Sequence, residues 1–259
     1  MSNRNMKALF SAATEVRHWR ALKNIVLNAS DPIDFLRKYL TGAGTYPTEI
    51  SLKNSPSPTK ITAYTHHDVL TINEIFFRKD YVIPQRSKTI VDFGSNIGIS
   101  VLYYLQNTMP SSFVYAYEPV PDNCERFEKN LSHYQGRYSL FPVAVGAEPG
   151  ICSFGVEPTG RYGGIGLNFK EKIDVQVVGI EDVLSQIIAK HGVIDVVKID
   201  TESQELKMLA ALSEQTLAKI RCISLEYLGD LAVTPKNFSI TRQGLIYTLK
   251  NEALEKTLS

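Results

Sequence analysis

The sequence predicts an α/β fold: a mainly parallel, twisted, Rossmann-like sheet flanked by helices, with a helical extension ahead of it. Three observations predict this. From Thr89 onward, short apolar runs alternate with segments of helical spacing, the pattern of parallel strands joined by crossover helices. Thr89-Ile-Val-Asp-Phe-Gly-Ser-Asn-Ile-Gly98 reads as a buried strand, a glycine turn and the first turn of a helix. A second apolar run, Phe113-Val-Tyr-Ala-Tyr117, stops at Glu118-Pro119, which leaves an acid at a strand tip.

The elements follow in order. Apolar spacing predicts a helix within Met6 to Leu27, with Arg17, Arg20 and Lys23 on its polar side. A second helix starts at Ser30-Asp31-Pro32, where a capping side chain precedes a first-turn proline, and stops near Gly42. Asn54-Ser-Pro-Ser-Pro-Thr59 reads as a turn or short loop. Residues 1–85 are therefore expected to form a helical cap region and residues 86–259 the core. In the core, strands are expected at 89–94, 113–118, 138–145, 193–200 and 221–228. Helices are expected at 96–107, 122–132, 180–190 and 203–213. Between the third and fourth strands, Ile151–Val156 and Val175–Val178 read as β-rich edges flanking the glycine loop Gly160–Gly166. Ile246-Tyr-Thr-Leu249 is expected to complete an antiparallel edge.

Composition narrows the class. At 44% hydrophobic and 21% charged, 259 residues suffice for one sizeable core and an appendage. A net charge of +1 gives no general attraction to nucleic acid. Cys124, Cys152 and Cys222 are odd in number and lack C-x-x-C spacing, which points to a reducing compartment. No long apolar block suggests a signal peptide or transmembrane segment, so a cytoplasmic location is expected. Residues 1–40 hold seven basic residues against three acids. We read them as the solvated face of a lid or dimerisation helix, consistent with a homodimer. The alternative is a helix for a membrane surface or an acidic partner.

The glycine turn carries the functional reading. A turn at a strand's carboxyl end lets a ligand approach the backbone, with amide groups expected to point outward. Glu118 lies 118 − 98 = 20 residues beyond Gly98, the spacing of about 20 at which an acid holds ribose hydroxyls in dinucleotide folds. A dinucleotide fingerprint, however, needs a middle glycine to admit a pyrophosphate. Asn96 stands there, which disfavours NAD, FAD and a nucleotide-dependent oxidoreductase. It favours S-adenosyl-L-methionine, which has no phosphate to cradle.

Asp92-Phe-Gly-Ser-Asn-Ile-Gly98, Tyr117-Glu-Pro119, Asn130-Leu131 and Lys198-Ile-Asp-Thr-Glu202 together resemble the FkbM-type methyltransferases. The upstream Asp68–Phe76 and Asp80-Tyr81 extend the resemblance to about residues 46–228. One departure stands out: Glu202-Ser-Gln-Glu205 replaces the family's Glu-Gly-Ala-Glu. The resemblance implies the class I methyltransferase fold. It also implies a small-molecule or glycan acceptor such as a sugar, a glycolipid or a polyketide-like natural product.

Candidate site residues follow. For the cofactor they are Asp92, Gly94, Ser95, Asn96 and Gly98 in the turn, Glu118 with Pro119, and Ala144 with Val145 at the end of the third strand. Tyr81 and Glu74 join them from the segment ahead of the core. Strand alternation puts Lys198 and Asp200 on one face, where Asp200, Glu202 and Lys198 are candidates for chemistry, since an attacking hydroxyl must lose a proton. Arg161 and Tyr162 in the glycine loop, and Glu226 at the fifth strand's tip, are candidates for substrate contact. Asp200 and Glu226 could instead hold Mg²⁺. His66 and His67, read on an extended segment, would point to opposite sides. A nucleic-acid methyltransferase is disfavoured because basic clusters are missing from the core. A catalytically silent scaffold would keep Asp92 and Glu118 without chemistry at Asp200.

Overall fold

In the computed structural model, residues 16–53, 59–156, 163–165, 171–201, 204–231 and 234–258 are described. They fall into two units, Met1–Asp80 and Tyr81–Ser259. In the first, helix α1 spans Val16–Asn28 and α2 spans Pro32–Thr41. Asp31 caps α2 by accepting the Asp34 amide at 2.9 Å, and Gly42 ends it in the left-handed region at φ 68°. Strands β1 (Thr48–Leu52) and β2 (Thr59–Ala63) pair antiparallel, with Ile50 opposite Ile61. Helix α3 (His66–Ile72) runs directly into a π-helical turn, Asn73–Arg78.

That helix corrects the extended reading of His66 and His67. Thr65 and Asp68 form a capping box, in which the Asp68 carboxylate accepts the Thr65 amide at 2.8 Å and the Asp68 amide donates back to Thr65 Oγ1 at 3.4 Å. The two histidines therefore occupy a first helical turn, and His66 Nε2 lies 3.2 Å from the Tyr39 carbonyl oxygen. Ile25, Ile61, Ile72 and Phe77 close this unit's interior, with Phe35 edge-on to Phe77 at 4.8 Å.

The second unit supplies β3 (Thr89–Phe93), α4 (Ile99–Asn107), β4 (Phe113–Tyr117), α5 (Pro121–Asn130) and β5 (Tyr138–Phe141). Strands β6 (Ala144–Gly146), β7 (Gly150–Val156), β8 (Gly163–Ile165) and β9 (Glu171–Gly179) follow. Then come α6 (Ile180–His191), β10 (Ile194–Ile199), α7 (Glu205–Ala210), α8 (Glu214–Leu217), β11 (Ile220–Glu226), β12 (Phe238–Gln243), β13 (Ile246–Asn251) and α9 (Glu252–Leu258). Seven strands form one sheet in the order β12-β13-β11-β10-β3-β4-β5. Strands β5, β4, β3, β10 and β11 run parallel, β13 pairs antiparallel with β11, and β12 closes the edge antiparallel to β13. The order reverses direction at β3: β4 and β5 lie on one side, β10 and β11 on the other. In such sheets the crevice at the strands' carboxyl ends, beside that reversal, is where ligands bind.

One sheet face is apolar along its middle and carboxyl-end positions. Val91, Phe93, Val197, Ile199, Ile223 and Leu225 pack with Ile180, Leu184 and Met208 from the helices. Full burial of such side chains contributes roughly 1.5–3 kcal/mol each. Alternation sends Asp92, Lys198 and Ser224 to the opposite face, where they are register partners across three strands.

Two boundaries differ from expectation. The apolar run 138–145 is split at Pro142, which has no N–H for a ladder. Beyond it, Ala144 and Val145 belong to β6 in a separate four-stranded sheet, ordered β6-β9-β7-β8, and do not end a strand of the central sheet. The helix expected at 203–213 is shorter, spanning Glu205–Ala210, and beyond it Ser213 accepts the Thr216 amide at 3.1 Å and caps a separate helix, α8.

Candidate active site

The site is built from four strand ends. After Phe93 the chain turns through Gly94 and Asn96, with φ of 77° and 46°, and enters α4 from Gly98 at φ 87°. A Cβ on Gly94 would lie 1.8 Å from the Asp200 carbonyl oxygen, so only glycine lets this turn meet the end of β10. At Gly98 a Cβ would lie 2.5 Å from Leu131 Cδ2 and 2.9 Å from Phe127 Cδ2, so this glycine lets α4 pack on α5.

The amides of this turn point inward, contrary to expectation. Those of Gly94 and Ser95 both donate to the Tyr117 carbonyl oxygen at 3.0 Å. Asn96 N–H donates to Glu118 Oε2 at 2.9 Å, Ile97 N–H to Asn96 Oδ1 at 2.7 Å, and Gly98 N–H to the Ser95 carbonyl at 2.9 Å. The reason is the tight seam between β3 and β4, whose ends supply acceptors to the turn. Five successive donors are thus engaged within the protein, leaving no amide cradle of the kind that binds a pyrophosphate.

Glu118 sits buried at the tip of β4. Its Oε1 accepts from Val120 N–H at 3.0 Å and Asn123 Nδ2 at 3.2 Å, while Oε2 accepts from Asn96. Burial raises its pKa above the usual carboxylate value, and the hydrogen bonds from Val120, Asn123 and Asn96 offset part of that rise. Pro119, half-buried, follows it into the N-terminus of α5.

Across the switch point, Lys198 faces Asp92. Its ammonium stands 3.1 Å from Asp92 Oδ1 and 3.2 Å from Asp200 Oδ2, and donates to the carbonyl oxygens of Gly94 at 3.0 Å and Phe93 at 3.4 Å. Burial alone would lower the lysine pKa, but the carboxylates of Asp200 and Asp92 drive it upward, so it remains an ammonium. Asp92 is fully buried and accepts a short hydrogen bond from Ser100 Oγ. The Asp200 side chain remains 31% exposed, so it can reach a ligand that Asp92 cannot.

Tyr81 is buried, donates to Glu226 Oε2 at 3.4 Å, and meets Tyr104 edge-on at 6.4 Å. Burial, followed by the charge of Glu226, raises its pKa well above the usual phenol value. Asp92, the Gly94–Gly98 turn, Glu118, Lys198, Asp200, Glu226 and Tyr81 therefore gather at one sheet edge. Ser95, buried, donates its hydroxyl to the Asp92 carbonyl at 2.9 Å. Glu74 belongs to the first unit, where it pairs with Arg78 at 3.6 Å. Glu202, Arg161 and Tyr162 lie outside the described residues. Among the described residues, no group of three His, Cys, Asp or Glu side chains could hold a metal ion, and no helix is long and apolar enough to cross a membrane. Sequence reasoning missed Ser100 and Asn123, which brace Asp92 and Glu118. A lone serine inside the run Ile99–Leu105 was the available signal for the first; an amide in the first turn after Pro121 was the signal for the second.

The class these features define is an α/β methyltransferase. The profile of the methyltransferase FkbM domain matches residues 92–232, more than half of the chain, and the chain belongs to that family. A curated relative, the AMB antimetabolite synthetase AmbE of Pseudomonas aeruginosa, is 27% identical over 202 residues, which cover 64% of this chain. The chain spans only 9% of that protein's length. Among solved structures, the methyltransferase FkbM from Methylobacillus flagellatus KT aligns with 71% of this chain and 54% of its own, at 15% identity and a TM-score of 0.45. The cofactor-bound Rv0187 from MTB aligns with 64% of this chain and 74% of its own, at 12% identity and a TM-score of 0.37.

Proposed function

We propose that the protein is an S-adenosyl-L-methionine-dependent O-methyltransferase acting on a hydroxyl of a small-molecule or glycan acceptor. The observation that carries the cofactor reading is the inward-turned glycine turn beside Glu118: a nucleoside can lie against it, whereas a pyrophosphate finds no donors. Glu118 would accept from the ribose hydroxyls, held rigid by its three hydrogen bonds. When bound, the cofactor would supply an electrophilic methyl group. Asp200, exposed at the adjacent strand end, would orient the acceptor hydroxyl and take its proton, a role typically worth 10²–10⁴-fold. Lys198 and Asp92 would hold Asp200 and the turn in register without touching substrate. The antimetabolite synthetase named above supports a natural-product acceptor over a macromolecular one.

Calorimetric titration with S-adenosylhomocysteine, the cofactor's product form, tests the reading. Micromolar binding that is lost in Glu118→Gln, with the variant still folded, supports it. Absence of binding to the folded wild-type chain overturns the cofactor assignment and the chemistry placed beside it.

A further inference from the structure

Helix α1 is apolar on both sides, which a helix covering a soluble core does not require. Ala21 and Ile25 are buried at 4% and 2% exposure and face its own unit. At 3.6 residues per turn, the opposite side presents Leu22, Val26 and Trp19 as a stripe, with Lys23, Leu27 and Arg20 beside it. Trp19 is 61% exposed, Val26 54%, Leu27 57% and Leu22 38%, and both Arg20 and Lys23 are exposed. The helix holds no acid anywhere between Val16 and Asn28.

We propose that this outward face of α1 docks the protein onto an anionic lipid bilayer surface. The chemistry of the face selects that partner. An indole with one polar N–H suits the boundary between headgroups and acyl chains. Leucine and valine beside it insert a short distance, while the long basic side chains reach phosphate from the same side of the helix. A protein partner fits less well, because lysine is depleted at the centre of protein interfaces. The uninterrupted positive charge of α1 complements a negative surface. Docking would bring the chain to acceptors dissolved in or attached to the membrane. It is independent of which cofactor the second unit binds.

The chain contains a single tryptophan, so its emission reports on this face directly. The full chain should sediment with vesicles of phosphatidylcholine and phosphatidylglycerol, and Trp19 emission should shift to the blue. Arg20→Gln with Lys23→Gln should weaken binding about 30-fold at low salt, from roughly 1 kcal/mol for each basic residue. Leu22→Glu with Val26→Glu should abolish it, with circular dichroism and S-adenosylhomocysteine titration unchanged in both variants. No sedimentation with anionic vesicles overturns the proposal, as does equal binding to phosphatidylcholine alone. A blue shift that grows with protein concentration in the absence of lipid also overturns it, and assigns the face to contact between copies.

Discussion

Lys198 stands 3.1 Å from Asp92, its register partner across the switch point, and both side chains are buried. The pair joins β3 to β10, and through the Gly94 carbonyl it fixes the turn as well. A buried pair of this kind adds little net stability, but breaking it is costly because one charge is left behind without its counterion.

Lys198→Met should therefore destabilise the protein by about 3–5 kcal/mol. Asp92→Asn combined with Lys198→Met should recover a large part of that loss, since no uncompensated charge remains. Urea unfolding of the two single variants and the double variant measures the coupling. Simple additivity would show that the ion pair does not hold this edge together.

Asp200 differs from Asp92 by its exposure, and the difference separates their roles. Asp200→Asn should lower the methyl-transfer rate about 10²–10⁴-fold while leaving S-adenosylhomocysteine affinity nearly unchanged. Single-turnover kinetics beside calorimetry make the comparison. A parallel loss of affinity and rate would move Asp200 from the chemistry to cofactor binding.

The two glycines of the turn should tolerate change unequally. Gly94→Ala forces a methyl against the Asp200 carbonyl, which is backbone and cannot rotate away. Strain in the left-handed region and overpacking together should cost roughly 2–4 kcal/mol. Gly98→Ala meets the side chains of Leu131 and Phe127, which can shift. Thermal unfolding should rank Gly94→Ala as the more damaging of the two.

Glu118 gives the cofactor step a pH signature. Its folded pKa lies above the ordinary value of 4.5, first because of burial. The folded chain holds that proton more tightly than the unfolded chain does. Its contribution to stability is therefore fullest below the unfolded value and declines as pH rises through the folded one. Binding has the opposite sense, because the carboxylate is the form that accepts from hydroxyls. S-adenosylhomocysteine affinity should fall as pH is lowered through the raised pKa, and Glu118→Gln should bind weakly with no such slope. Titrations at a series of pH values decide it, and a sloping profile in the variant would assign the effect to another group.

Much of this edge was legible because its signals are local. The strand, turn and helix around Gly94 and Gly98 occupy consecutive residues, and Glu118 and Asp200 follow apolar runs whose ends are plain. What escaped was set by tertiary pairing. The break at Pro142 is visible in the sequence, but only β9 determines that Ala144 pairs with Val177 in a second sheet. The inward turn of the amides depends on the Tyr117 carbonyl more than twenty residues away. The β1–β2 hairpin, in a region expected to be helical, was missed although Ile50 and Leu52 alternate, as do Ile61 and Ala63, and its register rests on contacts within its own unit.

The last prediction separates support from site. At the amino end of β10, Asp195 Oδ2 accepts the amides of Lys88 and Thr89 at 2.7 and 2.9 Å, and Oδ1 pairs with Arg221 at 2.8 Å. Arg221 continues to Glu255 at 2.9 Å and to the Gln85 carbonyl at 3.3 Å. This network closes the end of the sheet remote from Asp200, so it should carry stability and no part of ligand recognition. Asp195→Ala strips an acceptor from two amides and a partner from a largely buried guanidinium, at a cost of about 2–4 kcal/mol. Asp195→Asn keeps one acceptor oxygen and should lose less. Both variants, measured below their unfolding transitions, should bind S-adenosylhomocysteine as the wild type does. A clear loss of affinity would mean that the two ends of β3 and β10 are coupled, and the division between supporting and functional strand ends would have to be abandoned.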